Sequence, residues 1–225
     1  MIPQMIPQAS SYAASIDNVI VLVGVLVGVW FFLAEGVFLW LILRFRAKDG
    51  VKSQYIEGHE PHLKRWITYP HLLVLVCDIF IIVAAVRVWY DVKQRLPEAD
   101  STIRVIGQQW AWTFQHPGAD NALDTPDDIF TVDDLHVQVN TTYHFLLESR
   151  DVLHSFSVPV FRIKQDAIPG RTITGWFEPT LTGQYDMQCV EICGIGHGVM
   201  VSRIYIEDQQ AHADWIRSAA VASAQ

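Results

Sequence analysis

The sequence contains two apolar runs that are each long enough to cross a membrane. Val19 to Leu43 is a run of 25 residues with one charged residue, Glu35, and Ile67 to Tyr90 is a run of 24 residues with two, Asp78 and Arg87. At a rise of about 1.5 Å per residue, helices of these lengths extend roughly 36–38 Å, which exceeds the roughly 30 Å hydrocarbon core of a bilayer. Because 51% of the residues are hydrophobic and 18% are charged, we predict an integral membrane protein with two transmembrane helices.

The basic residues between the two runs predict the orientation of the chain. Six Lys and Arg residues lie between residues 44 and 65, whereas none precedes the first run. The positive-inside rule therefore places this loop in the cytoplasm and both termini on the other side of the membrane. The first residues lack the basic region of a secretory signal peptide, so we expect them to be retained.

These patterns divide the chain into five segments. We predict an extracytoplasmic N-terminal segment, a first transmembrane helix, a cytoplasmic loop, a second transmembrane helix and an extracytoplasmic C-terminal domain, at residues 1–18, 19–43, 44–66, 67–90 and 91–225.

The C-terminal domain has the pattern of a β-sandwich or barrel. Short stretches rich in β-branched and aromatic residues alternate with turn residues, and a short amphipathic surface helix is predicted at residues 208–219. The candidate strands are residues 102–106, 109–115, 135–139, 142–148, 156–161, 172–178, 183–189 and 200–206.

The net charge is concentrated in the same domain. Residues 1–96 contain nine Lys/Arg and seven Asp/Glu, a net charge of +2, whereas residues 97–225 contain seven and seventeen, a net charge of −10. An acidic domain disfavours nucleic acid as a partner. It fits either a basic protein partner or a surface whose charge only maintains solubility.

Two acidic residues lie well inside the apolar runs. An ionised Glu35 or Asp78 would be costly in the hydrocarbon core unless it faced a partner subunit, a cavity or a cation. Two roles remain open for these acids, a hydrogen-bonded contact with a neighbouring subunit and a proton path. Under either role, we expect the two helices to dock against further membrane protein.

A loop between the last two candidate strands contains a group of metal-binding residue types. The segment GQYDMQCVEICGIGHGVM places Cys189, Cys193, His197 and Met200 at spacings of four, four and three residues. Thiolate, imidazole and thioether together suit copper, whereas zinc normally takes four nitrogen or sulfur ligands without Met. Copper is therefore favoured, and another metal remains an alternative. The third cysteine, Cys77, lies in the second apolar run, where we expect an inert thiol.

A disulfide is the other interpretation of the cysteine pair, since thiols in an oxidising compartment are usually paired. A bridge between Cys189 and Cys193 would close a loop of only five residues and would leave His197 and Met200 without a role. A copper site of this type needs a second imidazole from a distant strand. Four of the nine histidines lie in the domain outside the loop and the terminal helix, and His154, at a strand end before an apolar run, is favoured.

Several motifs in this order resemble subunit II of the haem-copper cytochrome c oxidases. They are DVLHSFSVP, KQDAIPGR and QCVEICGIGHGVM, behind the two apolar runs and QQWAW. The resemblance implies a membrane α + β fold, in which a two-helix transmembrane hairpin precedes a cupredoxin-like Greek-key β-sandwich or barrel. It also implies a dinuclear copper centre, CuA, in that domain.

The resemblance assigns roles to individual residues. Cys189 and Cys193 match the bridging thiolates, and His154 and His197 match the terminal imidazoles. Met200 matches the axial thioether of one copper ion, and the main-chain carbonyl of Glu191 matches the weak ligand of the other. In the family the side chain of that glutamate also reaches a magnesium ion at the contact with subunit I. Trp110 matches the residue at which electrons enter.

The function implied by the resemblance is an electron relay. Such a subunit accepts electrons from a separate cytochrome c-type donor and passes them to haem in subunit I, where oxygen is reduced to water with proton translocation. Subunit III and membrane lipid are further implied partners, and the bacterial cell membrane is the implied location. The chain itself then contains no residue that reduces oxygen.

Three features depart from the family pattern. Leu63 stands where many members have a glutamate, three residues before Trp66, so another acid would have to serve a proton path there. The sequence has no C-x-x-C-H motif, so we expect no fused haem c domain and a separate donor. Ala111 replaces an aromatic residue that is common within QQWAW, which suggests a donor surface of different shape.

Other functions use the same features. A nitric oxide reductase can have a copper-bearing subunit of this kind, and a membrane-tethered copper carrier would need similar ligands. Quinol oxidase relatives typically lose the copper ligands, which are complete in this sequence.

Overall fold

The computed structural model describes residues 6–52 and 57–223, and these form two compact units. One unit consists of residues 17–89, and the other joins the residues up to Ile16 with those from Tyr90 onwards. Residues 1–5 of the predicted N-terminal segment and residues 53–56 of the predicted cytoplasmic loop lie outside the described residues.

The first unit contains the two predicted helices, both longer than their apolar runs. Helix α1 is Ala13–Arg44 and helix α2 is Pro61–Trp89, followed by a π-helical turn at Tyr90–Gln94. Pro61 opens α2 because its fixed φ and missing N–H suit a first helical turn. No residue in the most apolar window of either helix is buried, and both helices are long and apolar enough to cross a membrane. So large an exposed apolar surface marks an interaction surface.

The second unit is a sandwich of two five-stranded sheets. The ten strands, β1 to β10 in chain order, are Ser101–Gln108, Ala111–His116, Ile129–Val132, Asp134–Gln138, Tyr143–Ser149, His154–Val158, Ile163–Ala167, Ile173–Phe177, Gly183–Cys189 and Val201–Glu207. The first sheet has the order β3-β2-β1-β5-β8 and the second β4-β10-β9-β6-β7. Only the β1–β5 and β4–β10 pairs are parallel among the strands of the described residues.

Two of these strands were not predicted from the sequence, and two predicted strands had wrong boundaries. The missed strands are β3, which has only four residues, and β7, whose three central residues are polar, so neither shows a clear alternation of apolar residues. The candidate strand 109–115 begins only at Ala111, because residues 109 and 110 form the turn after β1. The candidate strand 156–161 begins at His154 and ends at Val158, where Pro159 starts a 3-10 turn.

The facing sides of the sheets form an aromatic core. Its largest fully buried side chains include Trp112, Phe114, Phe145, Phe156 and Phe177. Trp112 packs edge-to-face on Phe156, with 5.6 Å between ring centroids, and so links the two sheets. Such aromatic pairs prefer specific ring geometries, so this contact fixes the position of one sheet relative to the other.

The N-terminal segment is part of the sandwich unit. The Ala9 N–H donates to the carbonyl of Val160, and the Ala9 carbonyl accepts from Thr180, both at 2.9 Å. Tyr12 is buried edge-to-face against Trp176 and donates its hydroxyl to the Trp176 carbonyl at 3.0 Å. A fragment that begins after the second helix would therefore lack part of its own core.

The C-terminal helix α3, Gln209–Ser223, packs on the domain through stacked rings. His136 lies between Tyr205 and Trp215, with centroid distances of 4.5 and 4.3 Å and nearly parallel planes. The two oxygens of Glu207 pair with Nδ1 of His136 at 2.8 Å and Nδ1 of His212 at 2.9 Å. A short helix at this position was predicted, and it extends further than residue 219.

This histidine cluster predicts how stability depends on pH. Burial, with the nearby His136 and His212, lowers the pKa of His116 to about 3. Burial opposes ionisation of Glu207, but its bonds to His136 and His212 prevail and lower the pKa of Glu207 to about 2. Both groups bind protons more readily when unfolded, so stability is full above about pH 6.5 and declines as the pH falls towards 3.

We expect the unfolding temperature to fall progressively as the pH is lowered from about 6.5 towards 3. The substitution His116→Phe, whose ring does not titrate, should flatten the decline between pH 6.5 and 4. Thermal unfolding followed by circular dichroism at each pH measures both profiles. Parallel profiles for the two proteins would contradict the role of His116.

Candidate metal centre

Three neighbouring strands bring the predicted ligands to one end of the sandwich. His154 is the first residue of β6, Cys189 is the last residue of β9, and Met200 directly precedes β10. Antiparallel pairing places Phe156 of β6 opposite Cys189 of β9. The Cys189 N–H donates to the Met200 carbonyl at 3.0 Å, which closes the loop between β9 and β10 at its base. Cys193 and His197 lie within this loop, and His197 begins a 3-10 turn.

The donor atoms of these residues face one another. The Sγ atoms of Cys189 and Cys193 are 3.8 Å apart. His154 Nδ1 is 4.0 Å from Cys189 Sγ, and His197 Nδ1 is 3.7 Å from Cys193 Sγ. The set therefore has two thiols at its centre and one imidazole on the side of each thiol.

Two further donors complete the set. Met200 Sδ is 3.8 Å from Cys193 Sγ, and the Glu191 carbonyl oxygen is 3.2 Å from Cys189 Sγ. Each thiol thus has an imidazole and one weaker donor beside it. The half-buried Glu191 side chain, to which the resemblance assigns magnesium, is not in the group of donor atoms.

The arrangement fits a metal ion better than a disulfide. A disulfide requires sulfurs about 2.05 Å apart, and both cysteines are free thiols. The 3.8 Å between the sulfurs is less than twice the roughly 2.3 Å length of a metal–thiolate bond, so one ion can reach both. The donor atoms of His154, Cys189 and Cys193 all lie within 4.8 Å of one another. The chemistry of the donor set, thiolate with imidazole and thioether, suits copper.

The site is shielded from water. His154 and Met200 are fully buried, and both cysteines are buried. Burial, with the neighbouring Cys189, raises the pKa of the Cys193 thiol to about 11. At neutral pH this thiol therefore has a proton that a metal ion must displace on binding.

Asp151 holds the His154 ring in place. Asp151 Oδ1 lies 2.8 Å from His154 Nε2, so the ring donates from Nε2 and leaves Nδ1 directed at Cys189. Burial raises the pKa of Asp151, but hydrogen bonds from His154, Gln109 and Val152 outweigh this and lower the pKa below its usual range. A carboxylate that accepts a hydrogen bond from the second ring nitrogen commonly orients a metal-binding histidine.

Trp110 lies directly against the metal-binding loop. Its Nε1 donates to the Cys193 carbonyl at 3.3 Å, and 39% of the residue is exposed. Gly196 permits this contact, because a Cβ atom at that position would lie 2.4 Å from Trp110 Cδ2. An exposed indole therefore touches the backbone of a predicted ligand residue.

Gln109 and Asp151 also contact the site, although neither was predicted from the sequence to do so. Gln109 directly precedes Trp110, and its side chain donates to the Cys193 carbonyl at 2.8 Å. An acidic residue three positions before a histidine that starts a strand is a pattern that could have indicated Asp151. Nothing in the sequence indicates that Gln109 lies beside Cys193, since 84 residues separate them.

The fold and the donor set define a membrane-anchored β-sandwich protein with a site for a soft metal ion. The family model "Cytochrome C oxidase subunit II, periplasmic domain" matches residues 125–207. The alternative cytochrome c oxidase subunit 2 of Bradyrhizobium diazoefficiens is 28% identical over 199 residues, covering 79% of this chain and 70% of the relative.

Two solved structures are similar to the domain. The periplasmic domain of subunit II of cytochrome oxidase from Bradyrhizobium japonicum is 29% identical, with a TM-score of 0.50 and coverage of 56% of this chain and 96% of that chain. A structure of subunit II in a mixed disulfide intermediate with a thioredoxin-like protein is 31% identical, with a TM-score of 0.50 and coverage of 58% and 99%.

The chain belongs to the family of cytochrome c oxidase subunit II. It is therefore a subunit of an oxidoreductase complex, and the predicted fold class is confirmed. The family implies copper binding, and the two helices with the periplasmic-domain match indicate a membrane protein with an extracytoplasmic domain. The individual ligands and the predicted segment boundaries stay predictions.

Proposed function

We propose that this chain is the subunit through which electrons enter a terminal respiratory oxidase. In this proposal Trp110 receives electrons from a reduced cytochrome c-type donor. A dinuclear copper centre would be held by His154, Cys189, Glu191, Cys193, His197 and Met200 and would relay the electrons to haem in subunit I, where oxygen is reduced with proton translocation. The single observation that supports it most is the convergence of two thiols, two imidazoles and a thioether at one buried end of the sandwich.

The number and placement of the donors support two copper ions. A single tetrahedral ion needs four ligands, whereas the site offers the side chains of His154, Cys189, Cys193, His197 and Met200 and the Glu191 carbonyl. A copper pair held by these residues would supply a one-electron relay, since the two ions would share one electron and their surroundings would rearrange little on oxidation and reduction. Strand ends hold His154 and Cys189 rigidly, and Asp151 fixes the ring of His154.

The surface around Trp110 supports its role towards the donor. The ring is partly exposed and is joined by one hydrogen bond to the Cys193 carbonyl. The net charge of −10 on residues 97–225 would attract a basic donor over a range of about 8–10 Å at physiological ionic strength.

An apolar surface beside His197 supports contact with subunit I. Ile192, Ile195 and Val199 are 77%, 96% and 76% exposed on the metal-binding loop. Exposed apolar side chains clustered in this way mark an interaction surface. We place subunit I on this surface, with a magnesium ion at Glu191 on the same contact.

The exposed apolar surface of the two helices is the basis for the remaining proposed partners. Subunits I and III and membrane lipid would cover the exposed faces of α1 and α2, and Glu35 and Asp78 would face protein within the complex. We propose the bacterial cell membrane as the location, with the copper domain on the periplasmic side.

The proposal predicts two copper ions in each chain. The full-length protein, solubilised in detergent and loaded with copper, should contain two ions and show one unpaired electron shared equally between them. Metal analysis together with electron paramagnetic resonance measures both quantities. One copper ion with a localised electron, or none, would exclude the dinuclear centre.

A further inference from the structure

Gln109 forms hydrogen bonds to two residues of the candidate metal centre, Asp151 and Cys193. It lies in the turn between β1 and β2, next to Trp110. Its backbone N–H donates to Asp151 Oδ2 at 2.7 Å, and its side-chain Nε2 donates to the Cys193 carbonyl at 2.8 Å. Both distances are typical of well-formed hydrogen bonds.

Each of these acceptors is itself tied to the site. The other Asp151 oxygen holds Nε2 of His154 at 2.8 Å, so Gln109 reaches the β6 ligand through one carboxylate. The Cys193 carbonyl also accepts from Trp110 at 3.3 Å, and its two lone pairs can serve both donors. A continuous set of hydrogen bonds therefore runs from His154 through Gln109 to Cys193.

The Gln109 side chain lies directly against the loop backbone. Gly194 has φ of +122°, a conformation favoured by glycine, and directly follows Cys193. A Cβ atom on Gly194 would lie 2.9 Å from Gln109 Nε2. Of the two side-chain hydrogen bonds described for the Cys193 carbonyl, the one from Gln109 is shorter, at 2.8 Å, than the one from Trp110, at 3.3 Å.

We infer that Gln109 is a positioning residue that holds Cys193 in register with His154 for copper binding. The inference rests on the proposed copper site. Gln109 does not bind the metal itself; it sets the geometry of a thiolate ligand that lies 84 residues further along the chain.

The test compares matched substitutions in the full-length protein. Gln109→Met retains the length of the side chain and the backbone N–H but removes the donor to Cys193. Gln108→Met makes the same change one residue earlier, where the side chain instead accepts from Arg150 at 2.7 Å. Competition with a chromogenic chelator should show copper affinity roughly 10-fold lower for Gln109→Met and unchanged for Gln108→Met. The copper–thiolate absorption bands should also shift in the first variant only.

A second measurement uses the copper-free protein. Alkylation of Cys193, followed by mass spectrometry of its peptide, should be roughly 2- to 10-fold faster in Gln109→Met, the range expected for loss of one hydrogen bond. Gln109→Glu, which replaces the donor with an acceptor at the same size, should give at least as large an increase. Unfolding temperatures close to that of the wild type confirm that each variant is folded.

The outcomes separate the two proposals. Equal copper affinity, absorption and alkylation in Gln109→Met and Gln108→Met would overturn the positioning role and leave the proposed function intact. A wild-type protein that binds no copper would remove the proposed function, and the alkylation rates would still decide whether Gln109 positions Cys193.

Discussion

The substitution Cys193→Ser is expected to abolish the dinuclear copper centre and to reduce oxidase turnover below roughly 1% of wild type. Cys193 Sγ is within 3.8 Å of Cys189 Sγ, His197 Nδ1 and Met200 Sδ, so it lies at the centre of the donor set. A serine hydroxyl is a hard, weakly acidic donor that cannot replace a bridging thiolate. Since loss of residues one shell further out typically costs about 10- to 100-fold, loss of a central ligand should cost more.

Cys77→Ser is the matched control for this prediction. Cys77 lies in α2, far along the chain from the site, and undergoes the same change of sulfur to oxygen. Copper content, the paramagnetic spectrum and oxygen consumption of the assembled complex should be retained. If Cys193→Ser bound two copper ions with the wild-type spectrum, the ligand assignment would be wrong.

The two membrane helices and most of the sandwich were predictable because their patterns are local. A run of 25 apolar residues can form only one kind of element in a bilayer, and β5 and β9 alternate or cluster apolar residues clearly. The edge strands β3 and β7 were missed because β3 has only four residues and β7 has polar residues at its three central positions.

The residues of the candidate site were also predictable only where their pattern is local. Cys189, Cys193, His197 and Met200 fall within twelve residues, so their chemistry is visible in the sequence. His154 could be favoured only once that loop was interpreted as a metal site. Gln109 contacts Asp151 and Cys193 across 42 and 84 residues of sequence, and Asp151 reaches His154 through the geometry of a turn. The order of the strands decides which distant residues meet. The packing of the N-terminal segment through Ala9 and Tyr12 was hidden for the same reason.

Two exposed surfaces of the site correspond to the two proposed partners. Trp110 is exposed and contacts Cys193 through its carbonyl, whereas His197 lies among the exposed apolar residues of the loop. An electron that arrives at the indole and leaves through His197 would cross the buried donor set between them. The position of the Trp110 ring against the loop should therefore control the rate of electron arrival without altering the metal content.

Gly196→Ala is expected to slow electron transfer from the donor by roughly 10- to 100-fold, since displacement of a reacting group by about 1 Å can cost 100-fold. Gly196 has φ of −88°, which alanine can adopt, so the change acts through its Cβ atom, which would lie 2.4 Å from Trp110 Cδ2. Trp110 must move away from Cys193. Gly198→Ala is the control, because a Cβ atom there meets nothing within 4 Å.

Stopped-flow reduction of the copper-loaded protein by the donor measures the rate, and metal analysis should show the same copper content in both variants. Trp110→Leu should be slowed to a similar extent, and combining it with Gly196→Ala should add little, because both changes remove the same contact. Additive losses in the double variant, or a wild-type rate for Gly196→Ala, would mean that electrons reach the centre by a route that does not pass through the indole.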